Sequence, residues 1–491
     1  MIDLSTFIFT PQQMNAVDAA SAASSIPPFD LMERAGRAVA AAALRHYPQA
    51  RRFVVLCGPG NNGGDGYVAA RALCEAGAAV DVFEMAEPTT LKGDARRAAL
   101  VSPIAARPLN EYGPEAGDVI IDALFGAGLS RNLSDDVQRH VARINDASLP
   151  VIAVDLPSGI CGLRGKVLGN ALQAARTITF MAMKPGHLLM PGRAVCGKIE
   201  VFDIGIPHRI LAAHAGNIRQ NHPSLWSPHL PSLAGETHKY KRGHLVVFSG
   251  GASHTGAARL AATAGLKCGA GLVTVAAPQD AAAVNAGALT AVMVRQVETL
   301  AELNDWLDTG KISACVLGPG FGIGERARDF VSAVCEKPLV LDADGITSFR
   351  DEPRRLFDAF ADGETRLVLT PHEGEFARLF PDIAADETLG KVEKARAAAS
   401  RSNAVIVYKG ADSVIASPEG HAYINANAPP WLATAGSGDV LAGMIGALLA
   451  QGVPAFEAAA AGVYLHGEAA LKAGPGMTAE DLAEHARIGF A

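Results

Sequence analysis

The chain reads as α/β, in two domains, each built on a mostly parallel sheet with helices on both faces. Three observations predict this. Short continuous apolar runs recur along its length, as strands buried on both faces require. Helix-like segments alternate with those runs. The alternation breaks once, across residues 208–243, where proline, histidine and basic residues take over. With 491 residues the chain also exceeds one ordinary core, so two or three domains are expected.

The elements follow in order. Met32 to Leu44 reads as a helix. Phe53–Cys57 reads as a buried strand, Gly66–Glu75 as the helix after it, and Ala79–Phe83 as the next strand. Val119–Asp122 and Val151–Asp155 are two more. This pattern fits a Rossmann-like doubly wound sheet over residues 1–218. Residues 219–237 read as a linker. Beyond it the alternation restarts at 245–248, 272–275, 314–317, 339–341, 367–369 and 405–408, giving a second α/β domain over 238–491.

Composition narrows the function. Hydrophobic residues make up 49% and charged residues 19%, a globular balance. The longest nearly uncharged stretch, Val440–Ala450, is too short for a membrane span, and the N-terminus has no basic segment of a secretory signal. A cytoplasmic protein is expected. Net charge is −7, which argues against nucleic acid as a partner. The seven cysteines form no CxxC pair, so zinc and disulfide frameworks are not indicated.

Two glycine-rich segments carry the chemistry. The first is Gly58-Pro-Gly-Asn-Asn-Gly-Gly-Asp-Gly66, after a strand and before a helix. Backbone N–H groups at such a helix start bind anions. Gly58-x-Gly60-x-x-Gly63 formally matches the dinucleotide fingerprint, but Asp65 beside a pyrophosphate would repel it, and no clear acid ends the second strand. Asp122 and Asp155 also end strands, and parallel strand ends face one crevice. A lone strand-end aspartate commonly caps the next helix. Three around one loop point instead to a raised pKa, a bound cation or a general base, for which Asp155 is the choice. Asp122, the Asn62 amide and the Ser158 hydroxyl are hard oxygen donors suited to an alkali or alkaline-earth ion.

Together with Gln12-Gln-Met14, Leu31–Gly36, Asp122–Gly128, Asp155-Leu-Pro-Ser-Gly159, Lys184-Pro-Gly-His187 and Phe202–Pro207, this loop resembles the NAD(P)H-hydrate epimerase family. The resemblance covers nearly all of residues 1–215. It implies inversion at C6 of the hydrated nicotinamide ring, interconverting R and S epimers. It implies K⁺ near Asn62, Asp122 and Ser158. It also implies substrate contacts from Asn61, Asn62, Gly63, Gly64, Asp65, from Gly126, Ala127, Gly128, Leu129, Ser130, Arg131, Asn132, and from Asp155.

The second segment is Ala435-Gly-Ser-Gly-Asp439 before an apolar helix. Its bare N–H groups suit a transferring phosphoryl group, and Asp439 in the first turn suits a base. The bland alternative is a capped buried helix. Thr370-Pro-His-Glu-Gly-Glu375, Lys409–Ser413, Gly318-Pro-Gly320 and Asp342–Gly345 also follow strands. No P-loop motif is present.

With His238–His244, Gly250–Ala258 and Gly269–Ala276, these segments resemble the ADP-dependent NAD(P)H-hydrate dehydratase family, whose fold is ribokinase-like. The resemblance covers about residues 238–485. It implies hydrated-nucleotide contacts from Ala257, Gly320, His372 and Asp439, and ADP contacts from Lys409, Gly410, Ala411, Asp412, Ser413 and Gly438. It further implies phosphorylation of the ring hydroxyl at the expense of ADP, with Asp439 as base, then phosphate elimination. Mg²⁺ is expected for phosphoryl transfer. Two departures stand out. Ala435 replaces a usual glycine, which would matter at a positive φ. Asn425–Trp431 replaces a more glycine-rich run.

Both resemblances in one chain imply a bifunctional repair enzyme acting on the hydrates of NADH and NADPH, expected as a homo-oligomer. Two rivals are a small-molecule (vitamin precursor) kinase with an accessory binding domain, and a non-enzymatic scaffold.

Overall fold

In the computed structural model, residues 6–231 and 242–487 are described. The chain divides into two compact units, Met1–Ile218 and Arg219–Ala491.

The first unit holds a seven-stranded sheet: β1 (Arg52–Cys57), β2 (Val80–Glu84), β3 (Ala106–Pro108), β4 (Asp118–Ala123), β5 (Val151–Val154), β6 (Arg176–Phe180) and β7 (Lys198–Phe202). The order is β3-β2-β1-β4-β5-β6-β7, with every pairing parallel. The strand order reverses between β1 and β4, so a crevice opens there beyond the strands' C-terminal ends. Register aligns Cys57 with Ala123 and Asp122 with Ala153, which brings the three following loops to one level. The core strands are apolar because helices cover both faces.

Two details differ from the sequence reading. The helix expected from Gly66 spans Asn61–Glu75, so Asn61 to Asp65 form its first turns. The reason is packing. A Cβ on Gly63 would lie 1.9 Å from the Gly58 carbonyl oxygen, and one on Gly64 would strike Met32. These glycines let a helix sit against its own entry loop and a neighbour. Asp155 lies just past β5, at φ 63.

The second unit is built on a ten-stranded sheet. Its strands are β8 (Ile218–Gln220), β9 (His244–Phe248), β10 (Leu272–Ala277), β11 (Met293–Gln296), β12 (Ala314–Leu317), β13 (Leu339–Leu341), β14 (Leu367–Leu369), β15 (Val405–Tyr408), β16 (Val414–Ala416) and β17 (Ala422–Ile424). The order is β11-β10-β9-β12-β13-β14-β15-β16-β17-β8. β9 to β15 pair in parallel, and β15-β16-β17 are antiparallel. Again the order reverses, between β9 and β12. The uncharged stretch 440–450 belongs to the helix Ser437–Ala450, buried from Val440 onward. It is apolar all round because it is a core helix. A Cβ on Gly443 would lie 2.0 Å from the Ala261 carbonyl oxygen of the helix Thr255–Lys267.

The expected linker is in part folded. Asn221 donates to the Ala460 carbonyl (2.8 Å) and Asn425 Oδ1 (3.1 Å) and accepts from Trp226 Nε1 (3.1 Å). Trp226 is fully buried. The rest of that linker, and His238 to Lys241 of the basic stretch, lie outside the described residues. Among the described residues no helix is long and apolar enough to cross a membrane.

Candidate functional site

In the first unit a cavity of about 710 Å³ opens at the β1/β4 crevice. Its lining includes Asn61, Asn62, Asp65, Gly126 to Arg131, Asp155 and Lys184, and from other helices Asp18 and Asp94. Gly63, Gly64 and Asn132 do not line it. Gly126 is needed as glycine: its Cβ would lie 2.9 Å from Asn62 Oδ1 and 3.0 Å from Asp155 Oδ2.

Asp155 is the most constrained group. Lys184 Nζ donates to its Oδ1 at 2.7 Å and Thr179 Oγ1 donates to the same oxygen at 2.9 Å. The Ala127 amide donates to Oδ2 at 2.9 Å. His187 accepts the Lys184 amide at Nδ1, so Nε2 carries the proton and donates to the Asp155 carbonyl at 2.7 Å. That bond helps hold Asp155 at positive φ, a conformation costing roughly 1–3 kcal/mol. Burial pushes the Asp155 pKa up, but Lys184 and His187 outweigh it, and the net direction is down. Burial moves His187 down to about 4, so it is neutral. Asp65 goes the other way. Burial, then the negative charges of Asp155 and Asp18, raise it well above the usual range.

Beneath the cavity, Asp122 and Ser158 are fully buried. Ser158 donates its hydroxyl to Asp122 Oδ1 (2.6 Å) and its amide to Oδ2 (2.7 Å). Burial raises Asp122 to about 6. Asn62 Nδ2 is buried without a partner.

In the second unit the loops after β13, β14 and β15 converge on the helix start at Ser437. Lys409 Nζ donates to Asp342 Oδ1 at 2.8 Å and lies 3.8 Å from Glu375 Oε2. A Cβ on Gly438 would lie 3.4 Å from Lys409 Nζ and 3.6 Å from Asp342 Oδ2, which places the helix start against this pair. Gly436, at φ 85, is the left-handed residue of the loop; Ala435 is not, so its departure from glycine carries no backbone penalty. Asp439 is raised to about 6, by burial first and then by Asp342, against the pull of Lys409. His466 Nε2 donates to the Ser437 carbonyl at 2.9 Å, and burial lowers it to about 4.

Other sequence-derived residues fall as follows. His372 accepts the Gly374 amide at Nδ1 and caps the helix Glu373–Leu379, while its Nε2 lies 3.1 Å from Glu375. Ala257 and Gly320 adjoin, since a Cβ on Gly320 would sit 3.4 Å from that of Ala257. Lys391 Nζ donates to Asp412 Oδ1 at 2.5 Å and to the Lys409 carbonyl at 3.3 Å. Ser413 Oγ closes a turn with Gly410, and Ala411 is exposed. The replaced run at 425–431 is tied down by Asn425 donating to Asn427 Oδ1 and Asn427 donating to the Tyr464 carbonyl.

A bifunctional NAD(P)H-hydrate repair enzyme from Moorella thermoacetica is 37% identical over 489 residues, covering 94% of this chain and 92% of the relative. One from Coxiella burnetii is 34% identical and covers 98% and 99%, and one from Escherichia coli K12 is 34% identical and covers 90% and 84%. This chain belongs to the bifunctional NAD(P)H-hydrate repair enzyme family. Two family models divide it: "YjeF-related protein N-terminus" matches residues 28–186 and "NAD(P)H-hydrate dehydratase" matches 245–487. Among solved structures, a Bacillus subtilis ADP/ATP-dependent NAD(P)H-hydrate dehydratase co-crystallised with ATP/Mg²⁺ is 24% identical (TM-score 0.45; 54% of this chain, 95% of that one). A ribokinase-like superfamily protein from Enterococcus faecalis is 23% identical (TM-score 0.47; 55% and 93%).

Sequence reasoning left several residues of this family member unassigned. Thr179, Lys184 and His187 surround Asp155, and Asp342, Glu375 and His466 surround the second helix start. Lys184-Pro-Gly-His187 was visible as a motif. The polar alternation of Arg176–Phe180 concealed a buried strand.

Proposed function

We propose that the protein repairs hydrated nicotinamide nucleotides at two sites: the first unit epimerises the R and S hydrates of NADH and NADPH, and the second dehydrates the S form at the expense of ADP. The division of labour follows the domains read from sequence, 1–218 and 238–491. The observation that carries the reading is the pair of glycine-bearing helix starts, at Asn61 and at Ser437, each facing the loops that follow parallel strands and each beside a carboxylate with a displaced pKa.

In the first site the pyrophosphate meets the N-terminal turn of the helix Asn61–Glu75 and Arg131 at the cavity wall, while the ring lies toward Asp155. The substrate residues named from sequence are those proposed to contact it. The donor set beneath fits K⁺. Asp122 is a buried carboxylate whose hydrogen-bond partners are all neutral, and Asn62, on the cavity wall with Phe125, whose amide donates to Ser158 Oγ, has an unpartnered buried amide atom. An amide turned over presents oxygen instead. Asn62, Asp122 and Ser158 would hold the ion, which supplies positive charge that fixes the loops.

In the second site Asp439 takes the proton of the ring hydroxyl, and Gly438 with the helix N-terminus receives the phosphoryl group. Lys409 to Ser413 take the nucleotide; Ala257, Gly320 and His372 take the hydrate. Mg²⁺ neutralises phosphoryl charge when bound, held chiefly by the phosphates with one or two carboxylates. Among the described residues there is no preassembled cluster of three His, Cys, Asp or Glu for a metal, and none is needed for that mode.

The test is recovery of the reduced-nicotinamide absorbance band from an R/S mixture of NADH hydrate, with ADP, ATP or no nucleotide, plus Mg²⁺ and K⁺. Full recovery is expected with ADP. Recovery that stops at the S fraction would overturn the epimerase assignment. No recovery with either nucleotide would overturn the repair reading.

A further inference from the structure

The two protons that epimerisation must move need two groups, and only Asp155 has been given a role. Asp65 and Asp155 line the same cavity, from the helix after β1 and the turn after β5. Their surroundings differ. Asp155 accepts from Lys184, Thr179 and the Ala127 amide, so its carboxylate is held as an anion with its oxygens aimed. Among the described residues no donor or cation bonds the Asp65 carboxyl. A carboxyl in a cavity wall with no partner is poised to carry a proton rather than a charge.

We propose that Asp65 and Asp155 divide the two proton transfers of epimerisation, Asp65 as general acid and Asp155 as general base. This rests on the epimerase reading. The step balances as follows. Asp65 gives its proton to the C6 hydroxyl oxygen as the C6–O bond breaks. The ring-nitrogen lone pair forms a C6=N bond, and water leaves. Asp155 takes a proton from a water whose oxygen bonds C6 on the opposite face, and the C=N pair returns to nitrogen. The product is the other epimer, with one proton moved from Asp65 to Asp155, and solvent exchange resets both. In the reverse direction the roles exchange.

The charged groups that face Asp65 agree with an acid. Asp18 comes from the helix Pro11–Ala23, Asp94 from the helix Gly93–Leu100 and Asp155 from beyond β5. All three are acidic side chains. Lys184 is the opposing charge, and it is committed to Asp155. Arg131, on the loop after β4, lines the same cavity. Burial first, and then the nearby carboxylates, raise the proton affinity of Asp65, the direction an acid needs.

The experiment follows the R:S ratio of NADH hydrate in K⁺ buffer without nucleotide, comparing the full-length protein with Asp65→Asn. Rates are taken above the uncatalysed exchange. Expected is a loss of kcat of roughly 10²–10³-fold, with KM within about twofold. The wild-type alkaline limb disappears in the variant. Because Asp65 has no partner to lose, its thermal midpoint stays at or above wild type, which separates a chemical loss from misfolding. A variant with a lowered midpoint is re-examined as Asp65→Glu, which restores a proton donor and is expected to recover at least a tenth of the wild-type kcat. An Asp65→Asn protein with kcat within threefold of wild type and the alkaline limb intact would overturn the proposal while leaving the epimerase reading in place. A wild-type protein that does not speed the exchange would overturn that reading, and this proposal with it.

Discussion

Replacing Asp439 with asparagine should make the second unit more stable and nearly inactive at once. The carboxyl has no hydrogen-bond partner among the described residues, and burial with Asp342 nearby raises its pKa to about 6 from 3.8. The folded state therefore holds this proton more tightly than the unfolded chain. Stability conferred by protonation is full below the unfolded value and is lost as pH rises through about 6. Above that, the ionised group is a burden of about 3 kcal/mol at 1.36 kcal/mol per unit. Water reaching the partly exposed carboxylate reduces this to about 1–2 kcal/mol. Asp439→Asn removes the burden, so urea unfolding of the second unit should require more denaturant at pH 7.5 and show no gain near pH 4. Dehydration, read as the reduced-nicotinamide band with ADP, should fall roughly 10²–10⁴-fold. Wild-type kcat/KM should halve near the Asp439 pKa of about 6 and drop about tenfold for each further unit of acid. A variant that is less stable at pH 7.5, or that dehydrates at the wild-type rate, would refute the argument.

Gly63→Ala should lose the first unit's fold and its epimerisation, because the new Cβ meets the Gly58 carbonyl at 1.9 Å, whereas Gly60→Ala, with nothing within 4 Å, should be tolerated. Circular dichroism and the R:S exchange rate of the two variants check this. Lys184→Met leaves the Asp155 anion buried and unpaired, which should cost roughly 3–5 kcal/mol at pH 7. The Asp155 pKa is depressed, so the wild-type stabilisation is present above the unfolded value and fades as pH falls toward the folded one. The gap between variant and wild type in urea should therefore narrow on acidification; a gap constant from pH 7 to pH 3 would contradict the assignment.

Most strands were legible because burial on both faces demands continuous apolar runs, and those runs were present at 53–57, 245–248 and 405–408. β6 was not, because Thr177 and Thr179 are buried polar residues whose cost is met only in three dimensions. Thr177 donates to the Cys196 carbonyl at 2.7 Å and Thr179 to Asp155. The glycine loops were visible as sites, but their glycines were read as bare amides when Gly63 and Gly64 serve close packing. Lys184 illustrates the general limit. Its motif was noticed, yet 29 residues separate it from Asp155. Only the parallel pairing of Val154 with Ile178 carries the chain back to that carboxylate. The same holds for Asp342 and Glu375 around Lys409, which three different strands deliver.

The two carboxylates proposed as bases are tuned in opposite directions by the same kind of neighbour, and the difference is contact. Lys184 bonds Asp155 directly, so the cation's attraction exceeds the cost of burial and the carboxylate stays ionised. Lys409 spends its bond on Asp342 and reaches Asp439 only through space, so burial wins and the proton is held until about pH 6. Each outcome suits its proposed step. A base that takes a proton from water must be ionised at the working pH, which the contact with Lys184 ensures. A base that draws a hydroxyl proton during phosphoryl transfer gains from a pKa nearer neutrality, where proton affinity and ionised fraction are both substantial. Moving the lysine contact, rather than changing the carboxylate, is what sets the two apart.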